Sequence, residues 1–455
     1  MFAFFEADRN LCCVREEDLK TAAKALRRAG FGFLRMDAPE KAAALTYLFF
    51  RDPGSGRASF LVNDPALLFQ DEESAAWLSK TELVKNVNRA DLTSVPQCIL
   101  DCASAGTLRA VNVLHPQFPA IFRELPDDEQ NTSLRRAKEA AEKRGPSFLP
   151  AGKKRVNLIA IGDVGSNILT GLHLLGGDVI SEIGICDLSE NTVARWEFEE
   201  NQISYPWDYD RLPEVHAVKA ENLFDCDVVI FAASKGIPPV GSKVKDTRMA
   251  QFESNRKIVA SYARQARCVG FRGMFCQISD PVDPLARVMY LESNREESGA
   301  FDWKGLRAEQ IQGFGLGVMN ARAAYYAKRD PRFARFLTEG RTFGPHGQEL
   351  VVADSISNYD DAVSRELTQR VVTANLEMRS LGFKPFVAPA YSSGALSVLL
   401  ALRGEWHCGS VCLGKSYIGV KNRYTPYGLE TEILPLPDVL FERIRDAERS
   451  LQEIV

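Results

Sequence analysis

The stretch RVNLIAIGDVGSNILTGLHLLG, residues 155–176, constrains the fold of this chain more than any other. Its first apolar residues are not spaced in the alternation of a half-exposed strand; the run breaks at a glycine-containing turn and resumes with helical character. A second apolar strand, ISEIGICDL, leads into Asp187, and after a helical stretch and a polar excursion DCDVVIFAAS supplies a third. RKIVASYARQA and VGFRGMFCQISDPVD carry the alternation of helix and strand onward. Continuous apolar strands separated by helices specify an α/β fold with a parallel sheet covered on both faces.

The turn after the first strand reads A-x-G-x-x-G, with Ala160, Gly162 and Gly165 where a dinucleotide fingerprint has three glycines. In such a Rossmann-type fold the backbone N–H groups at the turn and helix start, here Gly162, Asp163 and Val164, face a pyrophosphate at the positive helix end. Asp187, at the end of the next strand, is placed to accept hydrogen bonds from ribose hydroxyls and to repel a 2′-phosphate, which favours NAD over NADP. Its distance from the turn is slightly longer than the usual spacing of about 20 residues. Ala232, Ala233 and Ser234, closing the third strand, complete the candidate cofactor-binding set. Ala160 departs from the pattern by adding a methyl group where the tight turn begins. The plainer alternative is an ordinary βαβ turn whose glycines serve helix packing alone.

At 455 residues the chain is long for one hydrophobic core. A polar, helix-prone run, DDEQNTSLRRAKEAAEKRG, followed by PSFLPAGKKR, marks a boundary near residue 150. This gives an additional amino-terminal α/β domain over 1–150, the Rossmann-type domain over 151–300 and an α+β substrate-type domain over 301–455. In the first of these, EEDLKTAAKALRRAG is expected as a helix, FGFLRM as a strand, and TYLFFRDPGSGRASFLVND as two strands joined by a turn. In the last, GLGVMNARAAYYAKR, DDAVSRELTQRVVTANLEMRSLG, YSSGALSVLLALRG and DVLFERIRDAERSLQEI are expected helices, and SVCLGKSYIGV strand.

The net charge of -4 arises from 60 acidic and 56 basic residues with no long single-sign block, which argues against nucleic acid as the main partner. No apolar stretch reaches the length needed to cross a bilayer, and the start MFAFFEADRN does not read as a signal peptide. The ten cysteines include the neighbours Cys12 and Cys13 and the pairs Cys98/Cys102 and Cys408/Cys412, with no CxxC or interleaved His/Cys spacing for a metal. Reduced thiols in a cytoplasmic protein without a metal site are the expectation.

Over roughly residues 154 to 455 the sequence resembles the lactate/malate dehydrogenase family. The stretches that carry the resemblance are LIAIGDVGSN, DCDVVIFAAS, DTRMAQFESNRKI, ISDPVDPL, GFGLGVMNARAAYY and TFGPHGQE, in that order. The resemblance implies hydride transfer between a nicotinamide and the 2-carbon of a 2-hydroxy or 2-keto acid, a small carboxylated substrate, and assembly as a homo-oligomer, a dimer or a tetramer. It makes His346, in the Gly-x-His-Gly loop, the proton carrier. Arg322 becomes the bidentate grip on the substrate carboxylate, and Arg248 the arginine of a loop that closes over the substrate. Each of these residues also has a bland alternative: a turn histidine, or a surface guanidinium.

Two positions depart from the family pattern. The aspartate that orients the histidine aligns with Met319, whose thioether is no strong acceptor for an imidazole N–H. The asparagine of the NPVD segment is Asp280, which brings a negative charge where the family has a neutral amide. Asp280 is therefore a candidate imidazole partner, with Glu349 a second source of charge. Loss of the carboxylate equally fits a degenerate dehydrogenase-like protein kept for binding, assembly or regulation. The segment SKGIPPVGSKVKDT is about two residues longer than in the family; its Lys235, Lys243 and Lys245 are either solvated loop charges or a second carboxylate contact. Ser392 and Ser393 fall where the family lines its pocket, and they equally suit a helix N-cap.

Overall fold

The computed structural model describes residues 2–7, 10–15, 32–37, 47–51, 60–62, 152–235, 247–299, 305–306, 310–383, 387–413, 416–425, 428–432, 434 and 436–455. Contacts divide the chain into two compact units. One comprises Met1–Ser147, Asp302–Glu309 and Tyr424–Leu436; the other comprises Phe148–Phe301, Gln310–Arg423 and Pro437–Val455.

In the first unit five strands, β1 (Phe2–Ala7), β2 (Asn10–Arg15), β3 (Gly32–Asp37), β4 (Tyr47–Arg51) and β5 (Phe60–Val62), form an antiparallel sheet in the order β3-β1-β2-β4-β5. The strands expected in FGFLRM and on either side of the Gly/Ser turn are present. The helix expected over 16–30, the polar run over 127–145 and the Cys98/Cys102 pair lie outside the described residues.

The second unit begins with β6 (Lys154–Ile159) and α1 (Asp163–Leu175), the strand and helix read from the opening motif. There follow β7 (Ile180–Cys186), α2 (Glu190–Glu200), β8 (Glu214–Ala217), β9 (Val228–Phe231), α3 (Thr247–Cys268), β10 (Met274–Gln277), α4 (Val282–Ser293) and β11 (Ile311–Gly313). These six strands are all parallel and run β8-β7-β6-β9-β10-β11 across the sheet. This is the doubly wound order, whose direction of winding reverses between β6 and β9 and opens a crevice at the carboxyl ends of those strands. Every residue of β9 and β10 is buried, which is why their sequences show no alternation.

The rest of this unit includes α5 (Leu316–Ala327), β12 (Arg341–Phe343), β13 (Val351–Ala353), α6 (Asp361–Ser380), a π-helical turn (Tyr391–Leu396), α7 (Ser397–Leu402), β14 (His407–Leu413), β15 (Ser416–Thr425) and α8 (Asp438–Ile454). β14 joins the sheet antiparallel to β11, and β15 pairs antiparallel with β14. The six parallel strands and the β14–β15 hairpin therefore belong to one sheet. A core of Leu316, Met319, Ala323, Phe333, Leu367 and Val371 binds α5 to α6. In α8 the buried Leu440, Phe441, Ile444, Ala447 and Leu451 recur at helical spacing and form its apolar stripe. No described helix is long and apolar enough to cross a membrane.

Candidate active site

The turn between β6 and α1 closes on itself through backbone. Ala160 has a φ of 71°, the left-handed conformation that glycine adopts without strain. A side chain at Gly165 would collide with the Ala160 carbonyl oxygen, so this glycine is what lets the helix start lie against the turn. A Cβ on Gly162, by contrast, would meet nothing within 4 Å. The exposed helix start at Gly162 and Asp163 thus leaves room for an anionic group over the N–H groups of α1, with Val164 half-buried behind them. Asp163 places its own acid in the first turn of α1.

Asp187 lies just beyond β7, half-buried. It accepts the Ile161 N–H at 2.8 Å through one oxygen and the Ser189 N–H at 3.1 Å through the other. A carboxylate retains further acceptor capacity after one bond to each oxygen, so ribose hydroxyls remain compatible with it. Ala232 and Ala233 are half-buried and Ser234 exposed at the end of β9, on the same rim of the sheet. The residues present therefore fit a dinucleotide. Among the described residues no cluster of three or more His, Cys, Asp or Glu is arranged to hold a metal ion.

A second depression, a cavity of about 190 Å³, is lined by Asp280, Met319, Arg322 and His346 together with Gln251, Gln348 and a few neighbours. Residues from Gln251 to Asn375 meet here, with Asp280 just beyond β10 and Met319 and Arg322 on α5. The His346 ring points its Nδ1 at the Gly315 carbonyl oxygen, 3.0 Å away. A carbonyl only accepts, so Nδ1 carries the proton and donates it; in the neutral ring Nε2 is then an acceptor. Gly315 is required for this approach, since a Cβ there would stand 2.6 Å from the His346 Cβ. Asp280 lies on the other side of the ring, with Oδ1 at 3.8 Å from Nε2.

The imidazole is thus oriented by a backbone carbonyl, not by a carboxylate, and the expected partner Asp280 stands beside Nε2. Met319 has no polar task behind the ring: it is 3% exposed and belongs to the core between α5 and α6. Its sulfur accepts from Arg322 Nη1 at 3.6 Å. Arg322 is half-buried and, among the described residues, forms no ion pair with a carboxylate. Burial pulls its guanidinium below the usual value, opposed by the charges of Tyr326 and Asp280. Glu349 does not line the cavity. Arg248 falls in the first turn of α3, where its side chain lies outside the described residues, as do Lys243 and Lys245; Lys235 is exposed.

Three residues that hold this site were not singled out in the sequence or were given another role there. Asp283, 2% exposed at the start of α4, accepts the His346 backbone N–H at 3.0 Å and the Ser410 hydroxyl, and so pins the histidine loop to β14. Ser393 accepts the Val318 N–H at 2.9 Å and donates to the Gly315 carbonyl at 3.0 Å, so it caps α5 from a distant segment and steadies the oxygen that orients His346. Ser392 uses its carbonyl to hold the Ser397 hydroxyl and does not line the cavity. Asn255, fully buried, donates to the Asp280 carbonyl at 2.7 Å and to Ser234 Oγ at 3.1 Å, and accepts from the Lys235 N–H at 2.8 Å. It ties the end of β9 to the cavity. The DPVD motif was a usable signal for Asp283; Asn255 carried none.

A doubly wound parallel sheet thus carries a glycine turn at its switch point and a histidine–arginine cavity beside it. Among curated relatives, an L-lactate dehydrogenase 2 of Staphylococcus aureus is 28% identical over 201 residues, which is 44% of this chain and 56% of the relative. The chain thus matches little more than half the length of its curated relatives. Among solved structures, a lactate dehydrogenase from a Medee basin deep-sea metagenome library superposes with a TM-score of 0.52 at 18% identity, covering 67% of this chain and 98% of that one. A malate dehydrogenase of Archaeoglobus fulgidus, solved in complex with NADH, gives 0.51 at 18% identity over 66% and 98%. No family profile matches the chain. The chain carries the fold of these lactate and malate dehydrogenases, and over 201 residues its sequence is similar to that of the L-lactate dehydrogenase 2.

Proposed function

We propose that this chain is an NAD-dependent oxidoreductase of the lactate/malate dehydrogenase type, acting on the 2-carbon of a small carboxylate. The observation that supports it above all is Arg322. A half-buried guanidinium without a carboxylate partner among the described residues is costly to keep, and it lines the same small cavity as the free nitrogen of His346. A substrate carboxylate removes that cost. In this reading Ala160, Gly162, Asp163, Val164, Gly165 and Asp187, with Ala232, Ala233 and Ser234, hold the dinucleotide, which supplies the hydride acceptor. His346 takes the substrate proton at Nε2, Arg322 fixes the carboxylate by two parallel hydrogen bonds, and Arg248 closes over the site. Asp280 faces the reacting group beside Nε2.

The protein is expected to quench or shift NADH fluorescence on binding and to change nicotinamide absorbance when a substrate is added. His346→Gln removes turnover while leaving NADH binding in place. Failure to bind either NAD or NADP at about 1 mM would end this proposal. A second reading, a degenerate dehydrogenase-like protein kept for binding or regulation, is favoured by Met319, which fills with core the place of a carboxylate. Turnover that depends on His346 would rule it out. By the same resemblance the protein is proposed to be a cytoplasmic homo-oligomer, a dimer or tetramer, which light scattering of the purified chain tests.

A further inference from the structure

The ligand atom that faces His346 meets two acceptors. Nδ1–H is committed to the Gly315 carbonyl, so the neutral ring offers only a lone pair at Nε2. Asp280 offers only lone pairs, and its Oδ1 stands 3.8 Å from Nε2. These two atoms are too far apart to bond each other well and close enough for one ligand atom to reach both. Asp280 is held in this position from behind: its carbonyl oxygen accepts from the buried Asn255, and it leads directly into Pro281 and α4.

The protons a ligand brings decide what this pair accepts. A keto oxygen has none and would face a carboxylate with its own lone pairs. A hydroxyl has one and serves either Nε2 or Asp280, leaving the other to water. A protonated amine has three, satisfies both acceptors at once and neutralises the carboxylate. Arg322, on the wall of the same cavity, supplies the opposite charge. A cavity of about 190 Å³ whose wall, among the described residues, carries one cation and one anion suits a small dipolar molecule, well below the roughly 300 Å³ at which drug-sized pockets begin.

We propose that this cavity binds a 2-amino acid, with the carboxylate on Arg322 and the amino nitrogen bridging His346 Nε2 and Asp280. The inference rests on the reading of Arg322 as a carboxylate site. It differs from that reading in exchanging the 2-oxygen of the substrate for a nitrogen.

Alanine and lactate, aminobutyrate and 2-hydroxybutyrate, and aspartate and malate are pairs that differ only at this atom. Each is titrated calorimetrically into the full-length protein, with and without NAD, at about pH 8, where imidazole is ordinarily neutral. The expected result is at least one pair in which the amino acid binds about tenfold or more tighter than its hydroxy partner. Asp280→Asn, which keeps the size of the side chain and restores a neutral donor, should erase or reverse that preference. Hydroxy acids binding as tightly as amino acids in every pair would overturn the proposal, as would an unchanged preference in Asp280→Asn. Arg322→Met separates the two levels. If it abolishes binding of hydroxy acids that the unaltered protein prefers, the carboxylate reading stands and the amino acid inference alone fails. If no acid of either kind binds the unaltered protein, both fail.

Discussion

Ser393→Ala tests the arrangement that orients His346. The hydroxyl is nearly inaccessible, with the residue 6% exposed, and serves two partners: it accepts from Val318 N–H and donates to the Gly315 carbonyl. Gly315, the N-cap position of α5, has no side chain to cap the helix, so Ser393 does from another segment what an N-cap residue does locally. Losing a cap costs about 1 kcal/mol, and a buried donor left without a partner costs roughly 1–3 kcal/mol. About 2 kcal/mol is therefore expected, concentrated at the start of α5. If these amides exchange through local opening, that corresponds to about 30-fold faster hydrogen exchange over residues 316–320. Mass spectrometry of the full-length protein reads this directly, and Ser393→Thr, which keeps the oxygen, should exchange more slowly than the alanine variant. Exchange within about twofold of the unaltered protein in Ser393→Ala would refute the argument, because a solvent-accessible or redundant cap is the only way to absorb the loss.

Two further outcomes follow from groups elsewhere in the unit. Burial holds the His407 imidazole down at about 4, against 6.5 ordinarily, so the unfolded chain takes up a proton that the folded chain refuses. Its contribution is fully present above the unfolded value and is lost as the pH falls toward the folded one; roughly 2 kcal/mol should go between about pH 7 and about pH 5. Denaturant titrations of His407→Gln should lack this part of the pH slope, and equal slopes in both proteins would contradict it. Gly165→Ala forces a methyl group onto the Ala160 carbonyl, a backbone atom that cannot swing aside. The variant should lose roughly 1–3 kcal/mol or more of stability and bind NADH more weakly by fluorescence titration, and unchanged NADH affinity would separate this turn from the dinucleotide.

The parallel sheet was legible because strands buried on both faces leave an unbroken apolar run, as in the VVIF of β9. β8 and β11 were not legible. The first, with the burial pattern eBie, has one fully buried residue in four, and the second is three residues long. Neither offers enough period to be told from a loop. The ordered stretches of the resemblance brought Asp280, Arg322 and His346 into view, and they line one cavity. What stood behind the imidazole was hidden for a different reason. Its partner is a main-chain oxygen, which no residue type encodes, and that oxygen is steadied by Ser393, 78 positions away. Asp283 reaches its partner across 63 positions. Such contacts come from the way the strands stack, and a reading by local pattern does not contain them.

The histidine loop is fastened by parts of the chain that come late in sequence. Gly344 donates its N–H to the Gly419 carbonyl on β15, and Asp283, which holds the His346 N–H, is itself held by Ser410 on β14. During synthesis the six parallel strands can emerge and pair while β14 and β15 are still unmade. The half with the parallel strands is therefore free to take shape first, and the imidazole acquires its final setting only when the closing hairpin arrives. A ribosome halted after residue 400 would display a chain with its parallel strands paired but with the His346 loop still unanchored.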